Sequence, residues 1–195
     1  DTITAFYNAS DESSRLKKNR HSQIEFLISM KYLQAVIPEN SRILDCCAGT
    51  GIYAFALAKQ HRVVAGDLSE KHIAQMKEFQ KDAPQLEEIH WLDARHMDIF
   101  EDESFDAVLC MGALYHLFSH EDRMNAIREC VRLCKKGGIL VFAYLNKWGN
   151  FYNGMINNLK PMDLLYREFD SGNHEDIFFR TTAEEVNAMC QALNL

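Results

Sequence analysis

The feature that most constrains how this chain can fold is a turn of small residues between two short apolar segments. Residues 41–67 read SRILDCCAGTGIYAFALAKQHRVVAGD. This pattern predicts a buried strand over 42–46, a tight turn over 47–51, a helix over 52–60 and a second strand over 62–66. A strand, helix and strand in this order form a β-α-β unit, and glycines at its turn let a ligand approach backbone N–H groups.

An acidic residue, Asp67, follows the second of these strands. A carboxylate at this point of a β-α-β unit can accept hydrogen bonds from both hydroxyls of a ribose. The turn and Asp67 together predict a site for a cofactor that contains adenosine.

The composition restricts the class of protein. A chain of 195 residues with 47% hydrophobic residues is long enough for one domain with a substantial core. The net charge of −7 argues against a general nucleic-acid binder, because neutralising phosphates requires a basic face. The basic residues of 17–21 are interpreted as a solvated helix face. The sequence contains no apolar run of the ~18–20 residues that a membrane helix needs.

The six cysteines form no C-x-x-C pair. They are therefore predicted to be small buried hydrophobic residues in a reducing compartment, with no metal site and a cytoplasmic location. His116 and His120 have helical i, i+4 spacing, but no further ligands mark a metal site around them.

We predict one domain over 1–195 with four parts. The parts are an N-terminal helical cap (1–37), a cofactor-binding core (38–145), a substrate-side insert (146–180) and a last helix (181–195). The first residues of the cap are either a flap over the site or a frayed terminus. The insert is rich in aromatic residues, which could line a small-molecule pocket or pack the insert on the core.

Strands and helices alternate along the core. Further strands are predicted over 88–92, 105–111 and 138–145, and helices after Ser69 and after Ser119 or His120, the second ending at Gly137 and Gly138. The last helix has Thr181 or Thr182 as its predicted N-cap. This alternation predicts an α/β fold: a Rossmann-like, doubly wound, mostly parallel sheet with helices on both faces.

In such a sheet, ligands bind beyond the carboxyl ends of the strands. By this rule, the carboxyl ends of four strands form one edge of the sheet, which we call the rim. The rim is predicted to contain Asp45, the turn 48–51, Asp67, Asp93 and the segment 111–116.

The glycine turn admits two interpretations. Gly49, Gly51 and Ala54 fit the G-x-G-x-x-G/A fingerprint of dinucleotide binding, so an NAD-dependent oxidoreductase is one hypothesis. Asp45 favours another cofactor, because its carboxylate would repel a pyrophosphate but hold an ammonium group. Asp93 could likewise accept a hydrogen bond from an adenine amine.

Five ordered segments carry a more specific resemblance: LDCCAGTG, GDLSEKHI, LDARHMD, FDAVLCMGALYHL and KKGGILVFAYLN. Together they resemble the successive motifs of class I S-adenosylmethionine-dependent methyltransferases, over about residues 40–146. The first motif of that family usually resembles LDLGCGTG, so Cys47 occupies a position where glycine is usual.

The resemblance implies roles for the first motifs. Gly49, Gly51 and Ala48 would line the methionine part of S-adenosylmethionine, and Asp45 would orient its amino group. Asp67 would hold the ribose hydroxyls.

The later motifs imply the remaining contacts. Leu68 would pack against the adenine, and Asp93 and Ala94 would contact its edge. Met111 and Gly112 would pass near the methionine moiety and the sulfonium.

The family's chemistry is an in-line transfer of the methyl group of S-adenosylmethionine to an acceptor, here expected to be a small molecule. Alignment of acceptor and methyl is the main requirement. A base helps when the acceptor must lose a proton, and His116 and Tyr115 are the catalytic candidates. Because the chemistry requires no particular catalytic residue, a non-catalytic module that binds S-adenosylmethionine remains an alternative.

The sheet of this family usually continues into a sixth strand and an antiparallel seventh. The sequence ends at Leu195, just after the last predicted helix. We therefore expect this C-terminal strand hairpin to be missing, and the outer edge of the fifth strand to be open to self-association.

Overall fold

The central sheet contains five parallel strands. The computed structural model describes residues 20–173 and 177–195. The strands are β1 (Arg42–Asp45), β2 (Arg62–Asp67), β3 (Glu88–Trp91), β4 (Phe105–Cys110) and β5 (Cys134–Phe142). Their spatial order is β3-β2-β1-β4-β5, so the chain reverses its direction of travel across the sheet at β1. This confirms the predicted doubly wound sheet and places the switch point between β1 and β4.

Helices cover both faces of the sheet. They are α1 (Arg20–Val36), α2 (Ile52–Leu57), α3 (Glu70–Phe79), α4 (His120–Leu133), α5 (Lys147–Ile156), α6 (Met162–Ser171) and α7 (Ala183–Gln191). Two short strands, β6 (Leu145–Asn146) and β7 (Arg180–Thr181), pair in parallel outside the main sheet.

Each strand contributes alternate residues to two cores. Ile43 and Val63 belong to the core under α1, α2 and α3, whereas Leu44 and Val64 belong to the core under α4 and α7. This alternation follows from the two-residue period of a strand. The apolar runs of β1, β2 and β4 are those of a sheet buried on both faces.

Three helices begin at side-chain caps that the sequence indicates. Ser69 accepts a hydrogen bond from the His72 N–H, and Ser119 accepts one from the Asp122 N–H. Thr182 and Glu185 form a complete capping box at the start of α7. Each cap satisfies N–H groups that the first turn of a helix leaves unpaired.

The end of α4 differs from the prediction. The helix ends at Leu133, and Cys134 already pairs with Phe105 of β4. Gly137, with a φ of 76°, therefore lies inside β5 and does not cap the helix. The register between β4 and β5 shifts at this point, which explains the left-handed glycine within an edge strand.

The insert over 146–180 contains helices α5 and α6, neither of which was predicted. Gly172, with a φ of 70°, ends α6. The part of the predicted N-terminal cap before Arg20, including Lys17 and Lys18, lies outside the described residues.

Strand β5 is an edge of the sheet. Within residues 20–173 and 177–195, its one strand neighbour is β4. No helix among these residues is long and apolar enough to cross a membrane.

Candidate functional site

The turn after β1 is held between its two neighbouring strands. The Cys46 N–H donates to the Leu109 carbonyl of β4, and the Ala48 N–H donates to the Gly66 carbonyl of β2. Both bonds, of 3.0 and 2.9 Å, continue the ladder of the sheet into the turn. The rim predicted from the strand ends is therefore assembled around the switch point.

Gly49 and Gly51 both have left-handed backbones, with φ values of 56° and 84°. The two glycines differ in the space available on their Cβ side. A Cβ on Gly49 would meet no atom within 4 Å, whereas one on Gly51 would lie 2.8 Å from the ring of Phe55. Gly49 thus exposes open space at the rim, and Gly51 packs against α2. Side chains are disfavoured at both positions because L-residues rarely adopt a positive φ.

Asp67 is held by three donors at the end of β2. The Gly49 N–H donates to Oδ2 over 2.8 Å, the Ser69 N–H donates to Oδ1 over 2.9 Å, and His72 Nδ1 lies 3.0 Å from Oδ1. A carboxylate offers about four acceptor positions, so capacity for a further donor remains on Oδ2. The side chain keeps 15% of its surface exposed at the rim.

Asp45 lies beside Asp67 but is almost fully buried, at 2% exposure. Burial and, to a smaller extent, the negative charge of Asp67 raise the pKa of Asp45 to about 7, against a hydrogen bond from the Cys47 N–H. Two neighbouring carboxylates, one of them desolvated, favour a cationic ligand group at the rim.

Asp93 follows β3 and pairs with a residue that the sequence reasoning did not include. Arg95 donates from Nε and Nη2 to the two carboxylate oxygens, at 3.0 and 2.6 Å, and Nη1 lies 3.3 Å from Asp122 of α4. Burial alone would raise the pKa of Asp93, but the bonds from Arg95 lower it. An adenine amine at this carboxylate would share it with Arg95.

The backbone carbonyl of Leu68 is held by a side chain from the neighbouring strand, β3. The exposed Trp91, at the end of β3, donates its indole N–H to the Leu68 carbonyl over 2.8 Å. Ala94, at 7% exposure, belongs to the core beneath this part of the rim.

Gly112 lies where the end of β4 crosses the turn after β1. A Cβ at this position would lie 2.8 Å from Cβ of Cys47, which is too close for two carbon atoms. Met111, just before it, packs partly buried against the core under α1, α2 and α3. The close approach of these two segments therefore requires glycine at position 112.

Tyr115 and His116 connect the rim to the segment before α7. The Tyr115 hydroxyl donates to the Met111 carbonyl over 3.0 Å, and the Tyr115 carbonyl accepts from the Phe179 N–H over 2.8 Å. His116 Nδ1 lies 2.9 Å from the Ile177 carbonyl, which can only accept, so this nitrogen carries the proton. The lone pair of the neutral ring is then on Nε2. His116 precedes α4, so His116 and His120 do not share a helix.

The aromatic residues of the insert fall into two groups. Trp148, Phe151, Tyr166 and Phe169 pack on one another between α5 and α6, with ring centroids 4.4 to 6.5 Å apart. Phe178 instead packs against His116, at 5.1 Å between ring centroids. Packing between the insert's own helices accounts for the first group.

Three neighbours of the rim, His72, Trp91 and Arg95, were not predicted from the sequence. Their positions contain some signal, because each lies within five residues of a predicted site residue or pairs with one across the sheet. Residue type alone does not distinguish them from ordinary surface or core residues.

The sequence of the core matches a known protein family. Residues 43–138, about half of the chain, match the family described as "Methyltransferase domain".

Relatives of known name support this match. The chain is 31% identical over 106 residues to the glycine/sarcosine N-methyltransferase of Parasynechococcus marenigrum, covering 53% of this chain and 38% of the relative. It is 30% identical over 150 residues to the ubiquinone biosynthesis O-methyltransferase of Coxiella burnetii, covering 76% of this chain and 61% of the relative. The chain thus spans about half the length of these curated relatives.

The solved structures show the same fold. The N-methyltransferase NodS of Bradyrhizobium japonicum, in complex with S-adenosylhomocysteine, superposes with a TM-score of 0.65 at 20% identity over 79% of each chain.

The chain has a Rossmann-like α/β fold, and the rim lies at the β1/β4 switch point, where sheets of this kind bind ligands. With the match of residues 43–138 and the relatives above, the chain belongs to the class I S-adenosylmethionine-dependent methyltransferases.

Proposed function

We propose that this chain binds S-adenosylmethionine at the rim and transfers its methyl group to a small-molecule acceptor. The observation that carries the proposal is the joint position of Asp67 and Asp45. Asp67 is aligned by the N–H groups of Gly49 and Ser69, and Asp45 is buried beside it with its pKa raised to about 7. The first suits a ribose and the second suits the ammonium group of an amino acid.

The remaining contacts follow the family's motifs. Ala48, Gly49 and Gly51 are proposed to line the methionine moiety, since Gly49 has open space on its Cβ side. Met111 and Gly112 are proposed to bound the same moiety from the β4 side. On binding, the ammonium group of the cofactor would offset the repulsion between Asp45 and Asp67 and favour the ionised form of Asp45.

Leu68, Asp93 and Ala94 are proposed to surround the adenine. Asp93 remains ionised because of Arg95, so it can accept a hydrogen bond from the exocyclic amine while Arg95 holds its orientation.

The methyl donor carries its own leaving group, so the protein's part in the reaction is alignment of the acceptor and exclusion of water. His116 is the proposed base where the acceptor must lose a proton. Its bond to the Ile177 carbonyl fixes the tautomer with the lone pair on Nε2. Tyr115 is the weaker candidate, because its hydroxyl already donates to the Met111 carbonyl.

The acceptor class is proposed from charge and from the relatives. A net charge of −7 disfavours a nucleic-acid acceptor, and the two named relatives are an N- and an O-methyltransferase. The insert over 146–180 is proposed to lie on the substrate side of the rim.

Two further proposals concern location and assembly. The reduced cysteines support a cytoplasmic location. The edge of β5 is the proposed surface for self-association.

Calorimetric titration with S-adenosylhomocysteine tests the cofactor directly. We expect one site per chain in the wild type, loss of binding in Asp67→Ala, and no change in Asp98→Ala, an exposed aspartate in the loop after β3. NADH is titrated in parallel as the ligand of the alternative function.

Each outcome of this titration has a definite meaning. Binding of NADH in place of S-adenosylhomocysteine would replace the proposal by an oxidoreductase. Binding of neither ligand would refute cofactor binding by this chain. Once S-adenosylhomocysteine binding is established, a screen of small acceptors with labelled S-adenosylmethionine follows; no turnover of any acceptor would favour a non-catalytic binding module.

A further inference from the structure

Four cysteines from three distant parts of the sequence meet directly beneath the rim. The Sγ atoms of Cys46, Cys110 and Cys130 all lie within 4.8 Å of one another. Cys47 adds a fourth sulfur, 3.8 Å from Sγ of Cys46. No other group of three or more potential ligands occurs in the described part of the chain.

The fold explains why these thiols meet without any C-x-x-C motif. Asp45 pairs with Leu109 in the parallel ladder of β1 and β4, so the next residues, Cys46 and Cys110, are also neighbours. Both belong to the core under α4, and α4 places Cys130 over them. Cys47 follows in the turn and is half-buried.

The spacing matches a metal site. With a Zn–S bond of about 2.3 Å, the sulfur atoms of a tetrahedral site lie about 3.8 Å apart. The Cys46–Cys47 distance already has this value, and the sulfurs of Cys46, Cys110 and Cys130 need to approach one another by at most about 1 Å. Thiolates are ligands that soft cations prefer.

We propose that Cys46, Cys110 and Cys130, with Cys47 as the fourth ligand, form a site for one zinc-type cation. Each ligating thiol releases its proton to solvent when the metal binds. The metal would connect the end of β1, the end of β4 and helix α4 under the cofactor rim.

Co²⁺ is the probe for this site, because thiolate ligation gives cobalt a charge-transfer absorption that histidine and carboxylate ligands do not. The full chain is reduced with a phosphine, freed of metal and titrated with Co²⁺, and then with Zn²⁺ as competitor. We expect thiolate–cobalt bands that saturate at one equivalent and are abolished by one equivalent of Zn²⁺. No such bands in the wild type would overturn the proposal.

Cysteine-to-alanine variants locate the site. Cys110→Ala and Cys130→Ala are expected to weaken Zn²⁺ binding on the order of 100-fold or more, while Cys190→Ala, outside the cluster on α7, leaves it unchanged. Circular dichroism checks that each variant folds. If one cluster variant fails to fold, the other decides, and if both fail, the wild-type titration decides.

Two results would contradict the assignment of the metal to this cysteine cluster. Equal binding in Cys110→Ala, Cys130→Ala and the wild type would place the metal elsewhere. Loss of two thiols to a disulfide in air, in a protein that binds no Co²⁺ when reduced, would make the cluster a redox pair. This experiment does not depend on S-adenosylmethionine, so its failure leaves the proposed function unaffected.

Discussion

The backbone N–H of Gly49 and the carboxylate of Asp67 are joined by a hydrogen bond of 2.8 Å. The bond ties the turn after β1 to the end of β2, and it forms because Gly49 adopts a φ of 56°. The orientation of Asp67 is thereby set by the protein's own backbone. A ligand that binds at Asp67 therefore meets a carboxylate that is already aligned, which lowers the entropic cost of binding.

His72 is expected to contribute to cofactor affinity through Asp67. His72→Leu removes one of the three donors to the carboxylate, and a hydrogen bond to a charged group contributes about 1.5–3 kcal/mol. We expect S-adenosylhomocysteine to bind roughly 10- to 100-fold more weakly by calorimetry. His72→Asn, which retains a donor near the position of Nδ1, should recover most of the affinity. Equal affinities of both variants would exclude this role.

Asp45 is expected to destabilise the ligand-free protein as pH rises. The pKa is 3.8 in a model compound and about 7 in the fold, so in this window the native state keeps a proton that the unfolded chain releases. The free energy of unfolding should therefore fall between about pH 4 and 7, by on the order of 4 kcal/mol, and level off above.

Asp45→Asn removes this ionisation. In thermal or urea unfolding the variant should be more stable than the wild type at about pH 8, with a smaller difference at about pH 5. It should also bind S-adenosylhomocysteine more weakly. A stability difference that does not change with pH would show that Asp45 does not titrate in this range.

Gly112 is expected to tolerate no side chain. Gly112→Ala places a methyl group 2.8 Å from Cβ of Cys47, so we expect a loss of about 1–3 kcal/mol in urea unfolding. The control is Gly149→Ala in α5, where the methyl group meets no atom within 4 Å. Alanine is the better helix former, so this variant should gain up to about 1 kcal/mol. Similar effects of the two variants would mean that β4 and the turn do not approach this closely.

Tyr115→Phe is expected to affect stability more than binding. The change removes the donor to the Met111 carbonyl, and the loss of such a bond costs about 1 kcal/mol. We expect a lower midpoint in urea unfolding and an affinity for S-adenosylhomocysteine within about twofold of the wild type. A large loss of methyl transfer at unchanged stability would instead make Tyr115 catalytic.

The open edge of β5 predicts association that depends on concentration. An unpaired strand edge presents N–H and C=O groups that a second chain can pair with. Light scattering over a range of concentrations should show a rising dimer fraction. A monomer at every concentration would rule out pairing through this edge.

Much of the core could be predicted from local signals. The strands of the sheet have long apolar runs, and the caps at Ser69, Ser119 and Thr182 have side chains that satisfy N–H groups within three residues. Apolar runs and helix caps involve only residues that are close together in the sequence, so they can be predicted without the tertiary structure. The end of α4 was predicted wrongly because Cys134 is extended by its pairing with Phe105, a contact between distant residues that overrides the glycine stop signal.

The insert shows the same limit. No helix was predicted there, yet α5 and α6 form and pack their aromatic rings between them. Packing of an amphipathic face contributes more to a helix in a protein than local propensity does.

The strand and helix alternation, the glycine turn and the acidic residues at the strand ends could be predicted from the sequence alone, because they depend on local backbone and side-chain chemistry. Three features depend on the three-dimensional structure: the donors that hold Asp67, the pairing of Arg95 with Asp93, and the buried cluster of Cys46, Cys110 and Cys130. These contacts depend on strand register. Which side chains meet across parallel strands depends on how the strands align, and that alignment is set by packing of the whole sheet.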